Sequence, residues 1–262
     1  MNKLPASAGW RWVKEGFALF RKQPAGLSTL FISYMFLMLT LNIIPVIGAV
    51  LPLILVPVFA MAFMQACVHV EQGKRVYPNL LLTGFRSPAF RSLLLLGVLY
   101  LLAAVLAVAA SSVVDGGVFW NVMNGKMALD SPEVRESAMP LGMLFSAAIY
   151  TPAAMAFWYA APLIVWKDMR LAKAVFYSFF AVKNAGKAFL LYGLAWFVLG
   201  VLLPTIASTI LALLASKTLA LFMLMPLSIV LTVVMYCSFY PTYTEFFGRP
   251  YSTAQATAEQ TE

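Results

Sequence analysis

The chain alternates between long, uninterrupted apolar runs and short segments rich in lysine and arginine. Six runs, at residues 26–44, 46–69, 92–114, 139–166, 188–214 and 218–241, contain no Asp, Glu, Lys or Arg. Each comes close to or exceeds the roughly 20 apolar residues that carry a helix across the hydrocarbon core of a bilayer. Backbone groups in lipid must be satisfied internally, so these runs predict an all-α, polytopic membrane helical bundle with six transmembrane helices. The turn between the first two runs falls at Asn42–Pro45, a join so short that two full spans and a re-entrant hairpin are both open readings. Pro52 and Pro57 predict a kink in the second helix, and Pro140, Pro152 and Pro162 predict a bend or tilt in the long fourth run.

The polar segments between the runs have their own period. Trp10, Val13, Phe17 and Phe20 recur at helical spacing, with Arg11, Lys14, Glu15, Ala18, Arg21 and Lys22 on the other side. Later, Ala172, Val175, Phe176, Phe179 and Val182 line one face, against Arg170, Lys173, Tyr177, Ala181 and Asn184. Basic helices with an aromatic face lie flat in the headgroup layer, so both segments predict interfacial helices. A related motif precedes three hairpins: Glu15-Gly16-Phe17 with Arg21, Thr83-Gly84-Phe85 with Arg86, and Ser178-Phe179 with Lys183. The chain therefore reads as a three-fold repeat of helix plus hairpin, with units near 9–70, 77–166 and 168–241 and a short tail at 242–262. The second leading segment is the shortest and starts at Pro78.

Composition strengthens the membrane reading. Of the 262 residues, 62% are hydrophobic and 11% charged, with a mean hydropathy of +0.87. A soluble domain carries roughly 25% charged residues. The net charge of +8 does not imply nucleic acid, because its distribution is asymmetric across the spans. Lys3, Arg11, Lys14, Arg21, Lys22, Lys74, Arg75, Arg86, Arg91, Lys167, Arg170, Lys173, Lys183, Lys187 and Arg249 fall on one side, and Lys126, Arg135 and Lys217 on the other. Positive residues stay inside, so both termini are expected in the cytoplasm and the protein in a bacterial inner membrane. Residues 115–138 form the larger external segment and read as a connector or small cap. The first apolar run ends without a small-residue cleavage site and reads as a retained helix. Cys67 and Cys237 both lie within apolar runs and read as reduced packing residues.

Catalytic chemistry is sparse. His69 is the lone histidine, and there is no glycine-rich phosphate loop, metal-ligand cluster or nucleophile elbow. The expectation is a non-enzymatic protein with no cofactor and no metal. The intramembrane polar cluster is Gln65, Cys67 and His69, followed by Glu71; Gln65 and His69 share a helix face. They read either as interhelical hydrogen-bonding groups or as the lining of a vestibule. Asp115-Gly116-Gly117 reads as a capping turn, and Trp166, Tyr236, Tyr240 and Tyr243 as interfacial anchors. Arg21, Arg86 and Lys183, one per repeat unit, are candidates to hold a lipid headgroup or a partner's acidic patch.

Several stretches carry a resemblance. Gly9-Trp10-Arg11-Trp12 with Glu15-Gly16-Phe17 and Leu19-Phe20, Val114-Asp115-Gly116-Gly117, Met155 through Pro162, and Tyr192 through Trp196 resemble an uncharacterised proteobacterial family of six-helix inner-membrane proteins. The resemblance spans nearly the whole chain and implies an inner-membrane location without implying an activity. More loosely, the three-fold unit is similar to the membrane domains attached to glycerophosphodiester phosphodiesterases; no phosphodiesterase domain accompanies it, so no enzymatic role follows. Two functions are then expected. One is a membrane organiser whose partners are anionic lipid headgroups or another membrane protein. The alternative is a transporter or channel-like passage for a hydrophobic or small neutral molecule, which a wet cavity lined by Gln65, Asn42, Thr205 or Ser208 would favour. Uncharged spans argue against proton coupling.

Overall fold

The structure, a computed structural model, describes residues 4–44, 47–214 and 217–250. It contains α1 (Ser7–Lys22), α2 (Pro24–Asn42), α3 (Ile47–Glu71), a 3-10 turn (Pro78–Leu82) and α4 (Phe90–Ala110). Three short helices follow, α5 (Ser112–Asp115), α6 (Val118–Met123) and α7 (Pro132–Glu136). The rest is α8 (Met139–Phe157), α9 (Ala160–Trp166), α10 (Leu171–Asn184), α11 (Gly186–Phe197), a π-helical turn (Val198–Leu202), α12 (Leu203–Leu214) and α13 (Lys217–Phe247). The described residues form no strand.

Six helical stretches are long and apolar enough to cross a membrane: Pro24–Asn42, Val50–Glu71, Phe90–Asp115, Met139–Trp166, Gly186–Leu211 and Leu224–Phe247. The shortest has 19 residues, about 28 Å of helix against the ~30 Å hydrocarbon core. Both helices of the first pair are therefore long enough for two full spans. Pro45, placed in the turn by sequence, lies outside the described residues. The spans differ in depth within the bundle: 56% of the most apolar window of Val50–Glu71 is buried, against 11% for Gly186–Leu211. The second span is thus the central post of the core, and the fifth is a peripheral helix turned towards lipid.

The leading elements close a ring. The 3-10 turn packs on α2 and α3, α10 packs on α8 and α9, and α1 packs on α11 and α13. Each leading element thus sits on the hairpin of the unit before it, the first returning to the third. The small residue of the repeated motif makes the contact. A methyl group on Gly16 would strike Ser238 of α13, and one on Gly84 would strike the Val58 carbonyl of α3. In the third unit, Ser178 Oγ accepts from Tyr159 N–H at 2.8 Å and donates to the Met155 carbonyl at 2.9 Å. That pair of bonds satisfies the backbone where the fourth span breaks between α8 and α9.

The faces that pack against the bundle are set off from the apolar stripes picked out by the periodicity. On α1 the buried residues are Ala8, Gly9, Trp12, Val13, Gly16 and Leu19, whereas Trp10 is 46% exposed. The stripe is rotated because the helix approaches its neighbours through its glycines, which carry no side chain to hold them off. On α10 the buried residues are Ala174, Ser178, Ala181 and Val182, and Phe176 is 59% exposed. Tyr240 and Tyr243, expected as interfacial anchors, are fully buried. Tyr243 meets Trp166 at 5.1 Å between ring centroids and Tyr159 at 6.2 Å. Nor does a tail start at 242: α13 continues to Phe247, and Thr242 is buried. Residues 251–262 lie outside the described residues.

At the far end, α5 and α6 fold back on α8 as a small cap. Asp115 accepts hydrogen bonds from Gly117 N–H at 2.9 Å and Phe119 N–H at 3.0 Å, so its carboxylate caps the start of α6, while Gly116, in the left-handed region, closes the end of the third span by donating its N–H to the Ser112 carbonyl.

Candidate functional site

The basic segments gather at one end of the bundle. Gln23, between α1 and α2, donates to the Lys74 carbonyl at 2.6 Å and accepts from Val76 N–H at 3.0 Å. Arg249 pairs with Glu71 at 2.9 Å, Tyr240 donates its hydroxyl proton to the same carboxylate at 2.6 Å, and Arg11 pairs with Glu245 at 2.7 Å. These contacts clasp α1, α3 and α13 together. Glu15, 3.7 Å from Arg11, lines a cleft of about 300 Å³ with Lys22, Glu71 and Arg249. Burial pushes the Glu15 carboxyl above the usual carboxylate range, which Arg11 offsets only in part. The clasp joins positions more than 150 residues apart (71 with 240, 11 with 245), too distant for any spacing rule. Its only trace in the sequence is the presence of Glu15, Glu71 and Glu245 among so many basic residues.

A second cleft at this end unites two of the candidates. It has a volume of about 490 Å³ and is lined by Gln65 of α3, Val165 and Trp166 of α9, and the 79–88 segment, which contributes Asn79, Thr83 and Arg86. The segment is held by local bonds: Thr83 Oγ1 donates to the Leu80 carbonyl at 2.6 Å, and Ser87 Oγ accepts from Ala89 N–H at 3.1 Å. With Gly84 seated on α3, Arg86 is presented at the cleft wall. Among the described residues, Arg86 makes no ion pair, and Gln65 and Asn79 make no side-chain hydrogen bond. A planar guanidinium binds oxyanions bidentately. With two carboxamides beside it and an indole and a valine behind, the cleft suits a group that is anionic at one end and apolar at the other.

The other candidates do not converge on it. His69 lies one turn along α3 from Gln65, yet its buried Nδ1 has no hydrogen-bond partner among the described residues. Neither side chain makes an interhelical hydrogen bond among the described residues: Gln65 faces the Arg86 cleft, and the buried Nδ1 of His69 finds no partner. Cys67 packs against Cys237, its Sγ 3.9 Å from the Cys237 carbonyl, and both are free. Arg21 is exposed, with no ion pair to a described residue. Lys183 lies over Phe179 and Phe180, at 5.9 and 5.7 Å from the ring centroids. The three basic candidates are not equivalent in register: Arg21 and Lys183 follow the docking residue by five positions, Arg86 by two.

Of the four groups expected to line a wet passage, Gln65 lines the Arg86 cleft, and the other three are turned to their own helices. Asn42 Nδ2 donates to the Met38 carbonyl, Thr205 Oγ1 to Val201 and Ser208 Oγ to Thr205. The cavity among the spans is instead apolar, about 320 Å³, and lined mainly by aromatic residues, including Phe63, Tyr100, Phe157, Trp158 and Tyr236.

No protein-family model matches the chain, and no solved structure matches it. A Burkholderia thailandensis protein named as a probable inner membrane protein is 39% identical over 251 residues, covering 94% of this chain and 93% of that protein. Identity at that level, extending over six apolar spans, identifies the chain as a member of the same family of multi-pass inner membrane proteins.

Proposed function

We propose that the protein is a non-enzymatic, lipid-binding component of the inner membrane, and that the Arg86 cleft takes the headgroup of an anionic lipid. The observation carrying this reading is a guanidinium with no ion pair, beside two carboxamides with no side-chain hydrogen bond, among the described residues, with an apolar wall formed by Val165 and Trp166. In this reading the basic end faces the cytoplasm, as the charge asymmetry favours. Reporter fusions after Arg91 and after Asp130 then give opposite sidedness; the same side for both overturns the orientation.

Lipid binding is tested in nanodiscs of phosphatidylcholine with graded phosphatidylglycerol. Each basic residue near an anionic surface is worth about 1 kcal/mol, or about fivefold. Arg86→Gln is expected to lower phosphatidylglycerol occupancy by about that factor. The Arg21→Gln/Arg86→Gln/Lys183→Gln variant should lower it by roughly two orders of magnitude at low salt, and by less as salt screens the charges. Unchanged binding in a correctly inserted triple variant rejects the proposal. The aromatic cavity supports the second reading, a passage for a hydrophobic molecule. Protein-dependent transbilayer movement of a fluorescent lipid in liposomes would favour that reading, and its absence would leave the binding role.

A further inference from the structure

The two faces of α10 differ sharply. Its inward face is made of small residues, Ala174, Ser178 and Ala181. Its outward face carries Phe176, Tyr177 and Phe180, all exposed and in mutual contact, with ring centroids 4.6 Å apart for Phe176–Phe180 and 6.1 Å for Phe176–Tyr177. Lysines flank these rings at both ends: Lys173 Nζ is 5.8 Å from the Tyr177 centroid, and Lys183 lies over Phe179 and Phe180. Neither lysine pairs with a carboxylate among the described residues.

Chain connectivity fixes how this helix lies. The fourth span ends at Trp166, with four residues between it and α10, and the fifth span starts at Gly186, with one residue between it and the end of α10 at Asn184. Fourteen helical residues extend about 21 Å. A rod tethered at both ends to points where the chain leaves and re-enters the bilayer must lie along the surface. Aromatic rings are favoured at that depth, and basic side chains there meet lipid phosphates.

We infer that the outward face of α10 is a docking surface for the anionic bilayer interface, with Phe176, Tyr177 and Phe180 inserted below the headgroups and Lys173 and Lys183 holding phosphate groups. The surface is separate from the Arg86 cleft and rests on the lipid-binding reading only through Lys183. Each ammonium already lies against an aromatic ring, Lys173 over Tyr177 and Lys183 over Phe179 and Phe180, which places it at the border between the apolar and anionic layers.

The test uses the full chain in nanodiscs of phosphatidylcholine and phosphatidylglycerol, with a nitroxide attached at Phe176→Cys in a Cys67→Ala/Cys237→Ala background and a control label at Lys14→Cys. The label at 176 should collide mainly with dissolved oxygen, as in lipid, and the control mainly with a water-soluble nickel chelate. Nickel collisions dominating at 176 overturn the inference and point instead to an acidic protein partner. Enrichment of phosphatidylglycerol around the 176 site should fall about 25-fold in Lys173→Gln/Lys183→Gln, at about fivefold per charge. It should be unaffected by Arg86→Gln, which empties only the cleft. Enrichment that survives the double lysine substitution overturns the anionic selectivity.

Discussion

α1 and α10 occupy the same place in their units, and the periodicity of their sequences makes them look alike. Each is amphipathic, places a basic residue five positions after its docking residue, and leads into a hairpin. They settle in opposite senses. α1 turns its bulk inwards: Trp12 is buried within 5.2 to 6.3 Å of Phe189, Tyr192 and Phe246. α10 turns its bulk outwards and buries alanine and serine. The difference is the shape of what each one meets. Gly9 and Gly16 allow α1 to sink between α11 and α13, leaving space beside them that only a large ring fills. α10 meets the broken junction of α8 and α9, which offers backbone polar groups and little volume. Amphipathicity therefore shows that a helix has two faces, and the partner decides which is inside.

The comparison is broken most directly by removing one ring from each helix. Trp12→Ala is expected to cost about 3–5 kcal/mol, as large-to-small changes in a core do, whereas Phe176→Ala should stay within about 0.5 kcal/mol in detergent. Thermal unfolding of the two variants under the same conditions checks this, and equal losses would mean that the two faces are not distinct. Next comes the docking residue. Gly16→Val places a branched side chain against Ser238 and its backbone, with an expected cost near the top of the 1–3 kcal/mol range for overpacking. A fall in the monodisperse fraction and in Tm should report it.

Ser178→Ala tests the other docking residue. It leaves the buried Tyr159 N–H without its acceptor, which costs about 1–3 kcal/mol. Faster hydrogen exchange at the Tyr159 amide would locate the loss at the break between α8 and α9. The smallest effect concerns the polar face of α1. Burial raises the Glu15 carboxyl and favours its neutral form, so its contribution to stability is present in acid and is lost as pH rises through the folded-state value. Glu15→Gln should therefore raise Tm slightly at neutral pH, with the gain vanishing below the usual carboxylate range.

Particular residues mark what could be read in advance. The six spans were legible because lipid imposes length and polarity limits on any crossing segment, whatever its neighbours. The motif positions Gly16, Gly84 and Ser178 were legible as a recurring pattern, though not as the contacts that close the ring. Gln65 and Arg86 were singled out separately; their meeting in one cleft depends on a 3-10 turn folding back on α3. His69 illustrates the limit. Its i, i+4 relation to Gln65 was correct, but whether a polar group faced it depended on other helices.

By itself, then, the sequence determined the solvent of this protein, the number of its spans and their grouping of charge, because each is a sum over local composition. Tertiary structure alone decided which face of α1 and of α10 is interior, that α13 runs on through Tyr243 as core, and that Arg11, Glu71, Glu245 and Arg249 form a clasp. Those outcomes depend on the shapes and polar groups of segments up to 234 residues away in the chain, and steric fit between such segments leaves no periodic trace in either one.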